Sequence, residues 1–295
     1  MRDRISLLAT VALLALAACW GSTFFMIRDL LDRVPTLDFL AVRFTLAGLA
    51  LLAVAPGAVR RLSREALLRS VLLGLLYGAA QILQTAGLAH TPATVSGFVT
   101  GTYVVLTPLL AAPLLRARIG RVTWLAVLIA LVGLGVLTLR GVSVGVGEAM
   151  TLASAVLYAL HIVGLGAWSR PADALGSSVV QLLTIAALCL LGTAGNGLVL
   201  PHRGSDWLAV LYMALVVGAL GLLCQTWAQA HLAPTPAAIA MSMEPVFAAL
   251  FAVGFGGEPA TARLVVGGLL VLCAMLLVEV VPRRKVEAEV LHPSV

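Results

Sequence analysis

Charged side chains are scarce in this chain: only 11% of its 295 residues are Asp, Glu, Lys or Arg, whereas soluble domains carry about 25%. The sequence is 61% hydrophobic, with a mean hydropathy of +1.07. A soluble core could not hide this much apolar surface, so the composition indicates a protein that has lipid as its solvent. The net charge of +6 does not indicate nucleic-acid binding, because the basic residues fall in short runs between apolar segments.

Cysteine is also rare, and the four cysteines lie inside apolar runs without metal-ligand spacing. We predict buried free thiols and expect neither a disulfide nor a metal site. The sequence contains no P-loop, nucleophile elbow or metal-ligand cluster. It therefore predicts no catalytic residues, no enzyme activity and no cofactor, and ATP-driven transport by this chain alone is not expected.

Long apolar runs fill most of the sequence, and each has the roughly 20 residues that a helix needs to cross a bilayer. We predict an all-α polytopic membrane protein with ten transmembrane helices, at residues 5–27, 37–56, 69–89, 93–115, 121–140, 147–168, 175–196, 207–228, 235–256 and 262–281. The first run resembles a lipoprotein signal that ends at Cys19. It is longer than a signal core, so a first membrane helix is the preferred interpretation.

The basic residues predict the orientation of these helices. With the N-terminus inside, 13 Arg and Lys residues fall on the cytoplasmic side and 5 fall outside. The positive-inside rule then places both termini in the cytoplasm.

Two short stretches of the sequence resemble each other. Residues 84–90 and 225–231 are 141 positions apart, match at four of seven positions, and both end in a His before a turn with proline. We predict a first repeat at 1–144, a second at 145–281 and a cytoplasmic tail at 282–295. Because five helices per repeat is an odd number, the second repeat would enter the membrane inverted, which is a transporter architecture.

Several motifs resemble those of a known family. They are Trp20-Gly21 with Phe24, Arg43-Phe44, the stretch 96–105, and Glu244-Pro245 with Gly257-Glu258. Their order resembles the drug/metabolite transporter superfamily, specifically its ten-helix EamA-type exporters. The resemblance implies two repeats and a bacterial inner-membrane exporter of amino acids or other metabolites. The chain departs from the family pattern at Arg116-Ala117-Arg118, where a Gly-Glu pair is usual.

Polar residues recur on one face of three predicted helices. Tyr77, Gln81 and Gln84 have this spacing in the third helix. The same spacing aligns Ser96, Thr100, Tyr103 and Thr107 in the fourth helix, and Thr151, Ser154, Tyr158 and His161 in the sixth. Polar groups avoid hydrocarbon, so these faces should point into the bundle.

These faces have two interpretations: they line a wet central cavity, or they hold helices together without touching a substrate. The second is favoured for Ser and Thr, and the first for Tyr, Gln and His. The candidate substrate-binding residues are Trp20, Tyr77, Gln81, Thr100, Tyr103, Tyr158, His161 and Glu244.

Glu244 is predicted near the middle of the ninth helix, before Pro245, which should bend that helix. A charge at the bilayer centre costs about 2.5–3.5 kcal/mol, so the residue needs a reason to be there. It either binds a substrate amine or a proton, or it stabilises packing through His161 or Gln225. Arg43 is expected near the outer end of the second helix, where it would snorkel or pair with Asp38.

The sequence therefore predicts a secondary transporter that exports amino acids or similar small metabolites by alternating access. Its partners would be that substrate and membrane lipid, with no nucleic acid. Two driving forces are compatible with the sequence, proton exchange and the substrate's own gradient. The alternative within transport is a multidrug or organic-cation exporter. The alternative from another class is a polytopic lipid-modifying enzyme, for which only His161 and Glu244 are mid-membrane acid–base candidates.

Overall fold

The structure is a computed structural model, and it describes residues 2–114, 120–139, 144–168, 170–221, 224 and 240–280. All regular elements in these ranges are helical, and no strand occurs among them. Seven helices are long and apolar enough to cross a bilayer, and three shorter apolar helices accompany them at Gly204–Leu220, Glu244–Gly254 and Ala262–Leu277. The protein is a helical, multi-pass membrane protein.

Eleven α-helices can be numbered along the described residues. They are α1 Arg2–Leu31, α2 Thr36–Val54, α3 Arg64–Leu88, α4 Ala93–Gly101, α5 Tyr103–Leu114, α6 Arg121–Thr138, α7 Val146–Trp168, α8 Ala174–Thr193, α9 Gly204–Leu211, α10 Glu244–Gly254 and α11 Ala262–Val280. Short 3₁₀ turns precede α3 and α8, at Val59–Arg61 and Pro171–Asp173. Helix α9 continues as a π-helical segment, Tyr212–Leu220.

Local sequence signals explain where several helices begin. The Ser63 hydroxyl caps α3 by accepting a hydrogen bond from Ala66 N. Prolines 35 and 92 precede α2 and α4, where an extended proline residue delivers the chain into the first helical turn. Pro245 lies in the first turn of α10, where the missing backbone N–H has no consequence for helix bonding.

The predicted fourth span, 93–115, is interrupted in the structure. The Thr102 backbone N–H and hydroxyl both donate to the Val99 carbonyl, at 3.2 and 2.6 Å. This i→i+3 bonding tightens the chain between α4 and α5. Thr102 nevertheless keeps helical backbone angles (φ −60°, ψ −14°), so α4 and α5 together form a stretch, Ala93–Ala112, that is long and apolar enough to cross a bilayer.

The predicted ninth span also differs from expectation. Glu244 is the first residue of α10 and follows a turn at 242–243, so it does not lie in the middle of a continuous helix. Near Pro245, where a bend in a continuous helix was predicted, the structure has the start of a helix. Residues 222–223 and 225–239 lie outside the described residues; they include the end of the predicted span 207–228, the start of the predicted span 235–256 and the stretch 225–231.

The helices pack as a set of close pairs. Helix α6 lies along α11, α2 along α8 and the π-helical segment, and α3 along α7 and α8. Helix α10 contacts both α1 and α4, while α7 contacts α4 and α5. Small residues permit the closest approaches: a Cβ on Gly133 would lie 3.0 Å from the Gly267 carbonyl oxygen, and one on Gly87 would lie 2.7 Å from that of Gly147.

The main hydrophobic core lies between α1, α2, α8, α9 and the π-helical segment, around fully buried Phe39, Leu40 and Ile185. A second core joins α4, α5, α6 and α11, with Phe98 and Met275 among its members. Polar side chains collect between these two cores, on α3, α5 and α7.

Candidate functional site

Three tyrosines and a histidine form a cluster near the middle of α3 and α7. The Tyr77 ring stacks on the His161 ring at 4.9 Å between centroids and lies 5.8 Å from the Tyr158 ring. The Tyr103 ring packs against Tyr158 at 6.4 Å. We call these four residues the tyrosine cluster. Its tyrosines are half-buried, so the cluster brings three aromatic faces and three hydroxyl groups together inside the bundle.

Hydrogen bonds between helices hold one end of the cluster. The Tyr158 hydroxyl donates to Gln84 Oε1 at 2.8 Å, and Gln84 Nε2 donates to Thr100 Oγ1 at 3.0 Å. This connection joins α7, α3 and α4. Two predicted site residues, Tyr158 and Thr100, are thereby brought together through Gln84.

A second network positions the histidine. His161 Nε2 lies 2.7 Å from Gln181 Oε1, and Gln181 Nε2 lies 3.1 Å from Ser177 Oγ, which also accepts from Ser70. With the Gln181 amide assigned in this way, its carbonyl accepts a hydrogen bond, so His161 carries its proton on Nε2. The histidine is thereby held by Gln181, and its ring face is presented to Tyr77.

Arg43 lies beside this cluster, not at a helix end. Its side chain is only 8% exposed, and its guanidinium carbon lies 5.9 Å from the Phe39 ring centroid and 5.2 Å from that of Phe44. The Phe44 ring in turn lies 6.2 Å from Tyr77. The expected pairing with Asp38 is wrong, because Asp38 accepts a hydrogen bond from Val199 N at 2.9 Å.

Glu244 approaches the same cluster from α10. Glu244 begins α10, which packs against α1 and α4, and its carboxyl is within long-range electrostatic reach of Tyr77 and Tyr158 without a hydrogen bond to either among the described contacts. The carboxyl is half-buried. The predicted pairing with His161 is not observed, since that histidine bonds to Gln181. The other predicted partner, Gln225, lies outside the described residues.

Two further predicted residues occupy different surroundings. Trp20 lies in the seam between α1 and the π-helical segment, where its Nε1–H donates to the Val217 carbonyl at 3.3 Å. It packs with Leu13 and Leu16 rather than on the tyrosine cluster. Gln81 lies one turn from Tyr77, is buried, and its Oε1 atom has no hydrogen-bond partner in the described structure.

The serine and threonine hydroxyls of α7 and α5 serve their own helices. Thr151 donates to the Gly147 carbonyl, Ser154 to Thr151 and Thr107 to Tyr103. Such back-bonding satisfies a hydroxyl in an apolar environment without a ligand. These three hydroxyls are therefore satisfied within their own helices.

A cavity of about 510 Å³ opens at one end of the bundle, where α1, α6 and α10 end and α4, α7 and α11 begin. Its charged lining residues are Arg28, Glu148, Glu258 and Arg263. Glu258 is bound to Arg28 at 3.1 Å and to the first backbone N–H groups of α4. We call this space the end cavity.

The geometry offers nothing that resembles a resident metal. Within the ranges that the structure describes, no three His, Cys, Asp or Glu side chains converge on one point. What the site does offer is a mixed aromatic and polar surface within the span of a membrane protein. Such surfaces are typical of proteins that carry small molecules through the bilayer.

The fold and this polar interior define a membrane transporter. The EamA-like transporter family profile matches the chain twice, at residues 7–139 and 145–280, and the protein belongs to this family within the drug/metabolite transporter superfamily. The resemblance noted in the sequence motifs is thereby confirmed.

Two curated relatives are similar along nearly their whole length. An uncharacterized transporter of Archaeoglobus fulgidus is 28% identical over 273 residues, covering 92% of this chain and 86% of its own. The uncharacterized inner membrane transporter YedA of Escherichia coli K12 is 28% identical over 264 residues, covering 88% and 86%. One solved crystal structure has a similar fold, with a TM-score of 0.64, 21% identity, and coverage of 91% of this chain and 95% of its own.

Proposed function

We propose that the protein is a secondary transporter that exports small amphipathic metabolites, amino acids first among them, across a bacterial inner membrane. The observation that carries this proposal is the tyrosine cluster, flanked by Arg43 and Glu244 in the membrane interior. Polar and charged side chains in the membrane interior lose their hydration, which is costly, so their presence there indicates a role in binding. A ligand would place its hydrocarbon against the rings and its polar groups against the hydroxyls and charges.

Helix pairing supports two inverted repeats with the division 1–144 and 145–281. The second predicted helix packs on the seventh (α2 on α8), the fourth on the ninth (α4 on α10) and the fifth on the tenth (α6 on α11). Elements related by a two-fold axis contact each other when they lie near it. The two separate family matches, at 7–139 and 145–280, support the same division.

In this proposal the two repeats move against each other and expose the tyrosine cluster to each side in turn. The end cavity would be the outer entrance, given the predicted orientation with both termini in the cytoplasm. Either proton exchange or the substrate's own gradient would supply the energy. Inner-membrane residence is supported by the name of YedA.

Flux into proteoliposomes tests the proposal. Purified protein in vesicles should give saturable amino-acid flux above that of empty vesicles, and repeating the panel with a pH gradient separates the two driving forces. Tyr77→Leu should lower flux at least about tenfold, equivalent to about 1.4 kcal/mol of lost binding. Trp124→Leu is the matched control, because Trp124 is 57% exposed and lies on α6, which carries no residue of the tyrosine cluster. Absence of saturable flux across a broad panel would end the amino-acid proposal.

A cation exporter is the second candidate. Glu244 beside tyrosine faces is an arrangement that also suits an organic cation. In that case Glu244→Gln should abolish cation resistance and spare the flux of neutral amino acids. The lipid-modifying enzyme is less favoured, since His161 is bound to Gln181 and does not face Glu244 as an acid–base partner.

A further inference from the structure

A small crevice lies at the end of the bundle that holds the start of α3, the end of α7 and the start of α8. The polar and aromatic side chains that line it are Arg69, Ser70, Trp168, Arg170, Asp173 and Ser177. We call it the inner crevice, because the predicted orientation places this end in the cytoplasm. Its volume of about 20 Å³ suits a single water molecule, so a larger ligand would bind at its mouth.

The inner crevice is at the level of a membrane interface. The apolar spans of the two helices that frame it are Arg64–Leu88 and Val146–Leu165, so Arg69 lies near the beginning of one span and Trp168 just beyond the other. The Arg69 guanidinium carbon lies 5.9 Å from the centroid of the Trp168 ring. Tryptophan is enriched at the level of lipid headgroups, and arginine reaches toward that level from within a span.

Contacts between three helices fix the walls of the crevice. Ser70 Oγ donates to Ser177 Oγ at 2.9 Å and so joins α3 to α8. One turn further along α3, Leu73 packs closely against α7: a Cβ on Gly164 would lie 2.8 Å from the Leu73 Cδ2 atom. The side chains at the mouth are therefore presented from a fixed frame.

The charge at the crevice is positive and only weakly neutralised. Arg69 pairs with Glu65, but Glu65 is 71% exposed, and such surface pairs contribute little. Arg170 is exposed and forms no ion pair among the described residues. Against these two arginines the described lining has one acid, Asp173. One positive charge is left over, and a phosphodiester, which carries a single negative charge, would neutralise it.

An apolar surface suited to acyl chains begins beside the crevice. Leu68, Leu72 and Leu75 recur at i, i+4 and i+7 on α3 and so share a face. They are 61%, 46% and 42% exposed. Leu68 directly precedes Arg69, and the apolar face continues from there along the span. Positive charge and acyl-chain surface are thus adjacent on one helix, whereas a free anion would need only the charge.

From these observations we infer that the inner crevice binds an anionic phospholipid, with the phosphate on Arg69 and Arg170 and one acyl chain along Leu68, Leu72 and Leu75. Arginine matches phosphate oxygens with paired N–H groups. Basic pockets between membrane helices on the cytoplasmic side are typical headgroup sites. The inference does not depend on the proposed transport function, because lipid binding is measured without any flux.

The test offers phosphatidylglycerol and phosphatidylcholine with identical acyl chains to delipidated protein in detergent, and native mass spectrometry counts the bound lipid. Wild-type protein should bind phosphatidylglycerol at least about fivefold more tightly, the effect of about one arginine near an anionic headgroup. Inorganic phosphate at the same concentration as the lipid is the competitor. It should not displace phosphatidylglycerol, because it has no acyl chain to place on α3.

Variants assign the charge. Arg170→Gln should lose most of the preference for phosphatidylglycerol and leave phosphatidylcholine binding unchanged, and Arg69→Gln should act in the same direction. Arg170→Lys should keep most of the preference, because lysine retains the charge. Arg121→Gln is the matched control: Arg121 is exposed at the start of α6, on the same predicted side of the membrane, but does not line the crevice.

Four results would overturn the inference. Equal affinity of wild-type protein for the two lipids, which involves no variant, would exclude headgroup recognition. Equal losses in Arg121→Gln and Arg170→Gln would show general attraction to surface charge instead of a site. Displacement of the lipid by inorganic phosphate would make the crevice a site for free phosphate. Equal loss of both lipids in Arg170→Gln would make Arg170 structural.

Discussion

At the scale of single residues, Arg33 forms ion pairs with two carboxylates, one near the end of α1 and one in α9. It follows α1 and donates to Asp206 at 2.7 Å and to Asp29 at 2.6 Å. The hydrogen bond to Asp206, followed by that to Asp29, raises the pKa of the Arg33 guanidinium above its already high ordinary value. Arg33 therefore stays protonated at all physiological pH values, and its ion pairs do not depend on its own titration.

Asp206→Asn should destabilise the protein by about 2 kcal/mol, because Asp206 is only 3% exposed and its loss removes the buried half of this ion pair. Asp29→Asn is the control: Asp29 is 70% exposed, and the loss of such a pair costs about 0–1 kcal/mol. Thermal unfolding of both variants in detergent measures the difference. Equal shifts in Tm would show that burial does not set the strength of the pair.

At the scale of elements, one carboxylate connects three helices. Glu258, after α10, accepts hydrogen bonds from Ala93 N at 2.5 Å and Thr94 N at 3.1 Å, and it pairs with Arg28 at the end of α1. The first N–H groups of a helix have no partner within that helix, so α4 depends on a cap from outside. The G-E pair noted in the sequence thus has a structural role.

Glu258→Ala should cost about 1–2 kcal/mol of stability, since it removes a helix cap that also carries favourable charge at a helix N-terminus. The lower thermal midpoint should be accompanied by looser α4, seen as faster amide hydrogen exchange at residues 93–96. Glu65→Ala serves for comparison, because Glu65 is 71% exposed and contacts only Arg69 on its own helix. If both variants exchange and unfold alike, the cap is not what holds α4.

Two helix starts carry predicted site residues. Tyr103 begins α5, and its ring packs against Tyr158. Glu244 begins α10, after a turn at 242–243.

At the scale of the whole molecule, the proposed inversion of the two repeats makes a topological prediction. The loop after α2 and the loop after α8 occupy corresponding places in the two halves. Inversion requires them on opposite sides of the membrane, whereas a parallel duplication would place them on the same side.

Single cysteines at Pro56 and Asn196, in a variant whose four native cysteines are replaced, test this prediction. Asn196→Cys should react with an impermeant maleimide in intact cells, and Pro56→Cys only after permeabilisation. Both should react in detergent, which controls for accessibility of the thiol. Reaction of both from the same side would refute the inverted arrangement.

The class of fold can be predicted from the composition of this protein and from the position of its apolar runs. The scarcity of charge and the repeated stretches of about 20 apolar residues predict a multi-pass helical protein, because only helices of that length satisfy their backbone inside lipid. Motif order was enough to predict the EamA-type family. The spacing of Tyr77 and Gln84, and of Tyr158 and His161, also predicted which faces point inward.

Only the tertiary structure decided which of those residues meet. Arg43 reads as an anchor in the sequence because a long arginine side chain can reach toward the interface, whereas in the structure its guanidinium packs against Phe39 and Phe44. Trp20 and Tyr158 are both candidate binding residues in the sequence but lie against different neighbours, because contacts between distant helices set their surroundings. Periodicity specifies the face of a helix. The partner against which that face packs, and with it the placement of Arg43 beside Phe44 and Tyr77, depends on contacts between residues far apart in the chain.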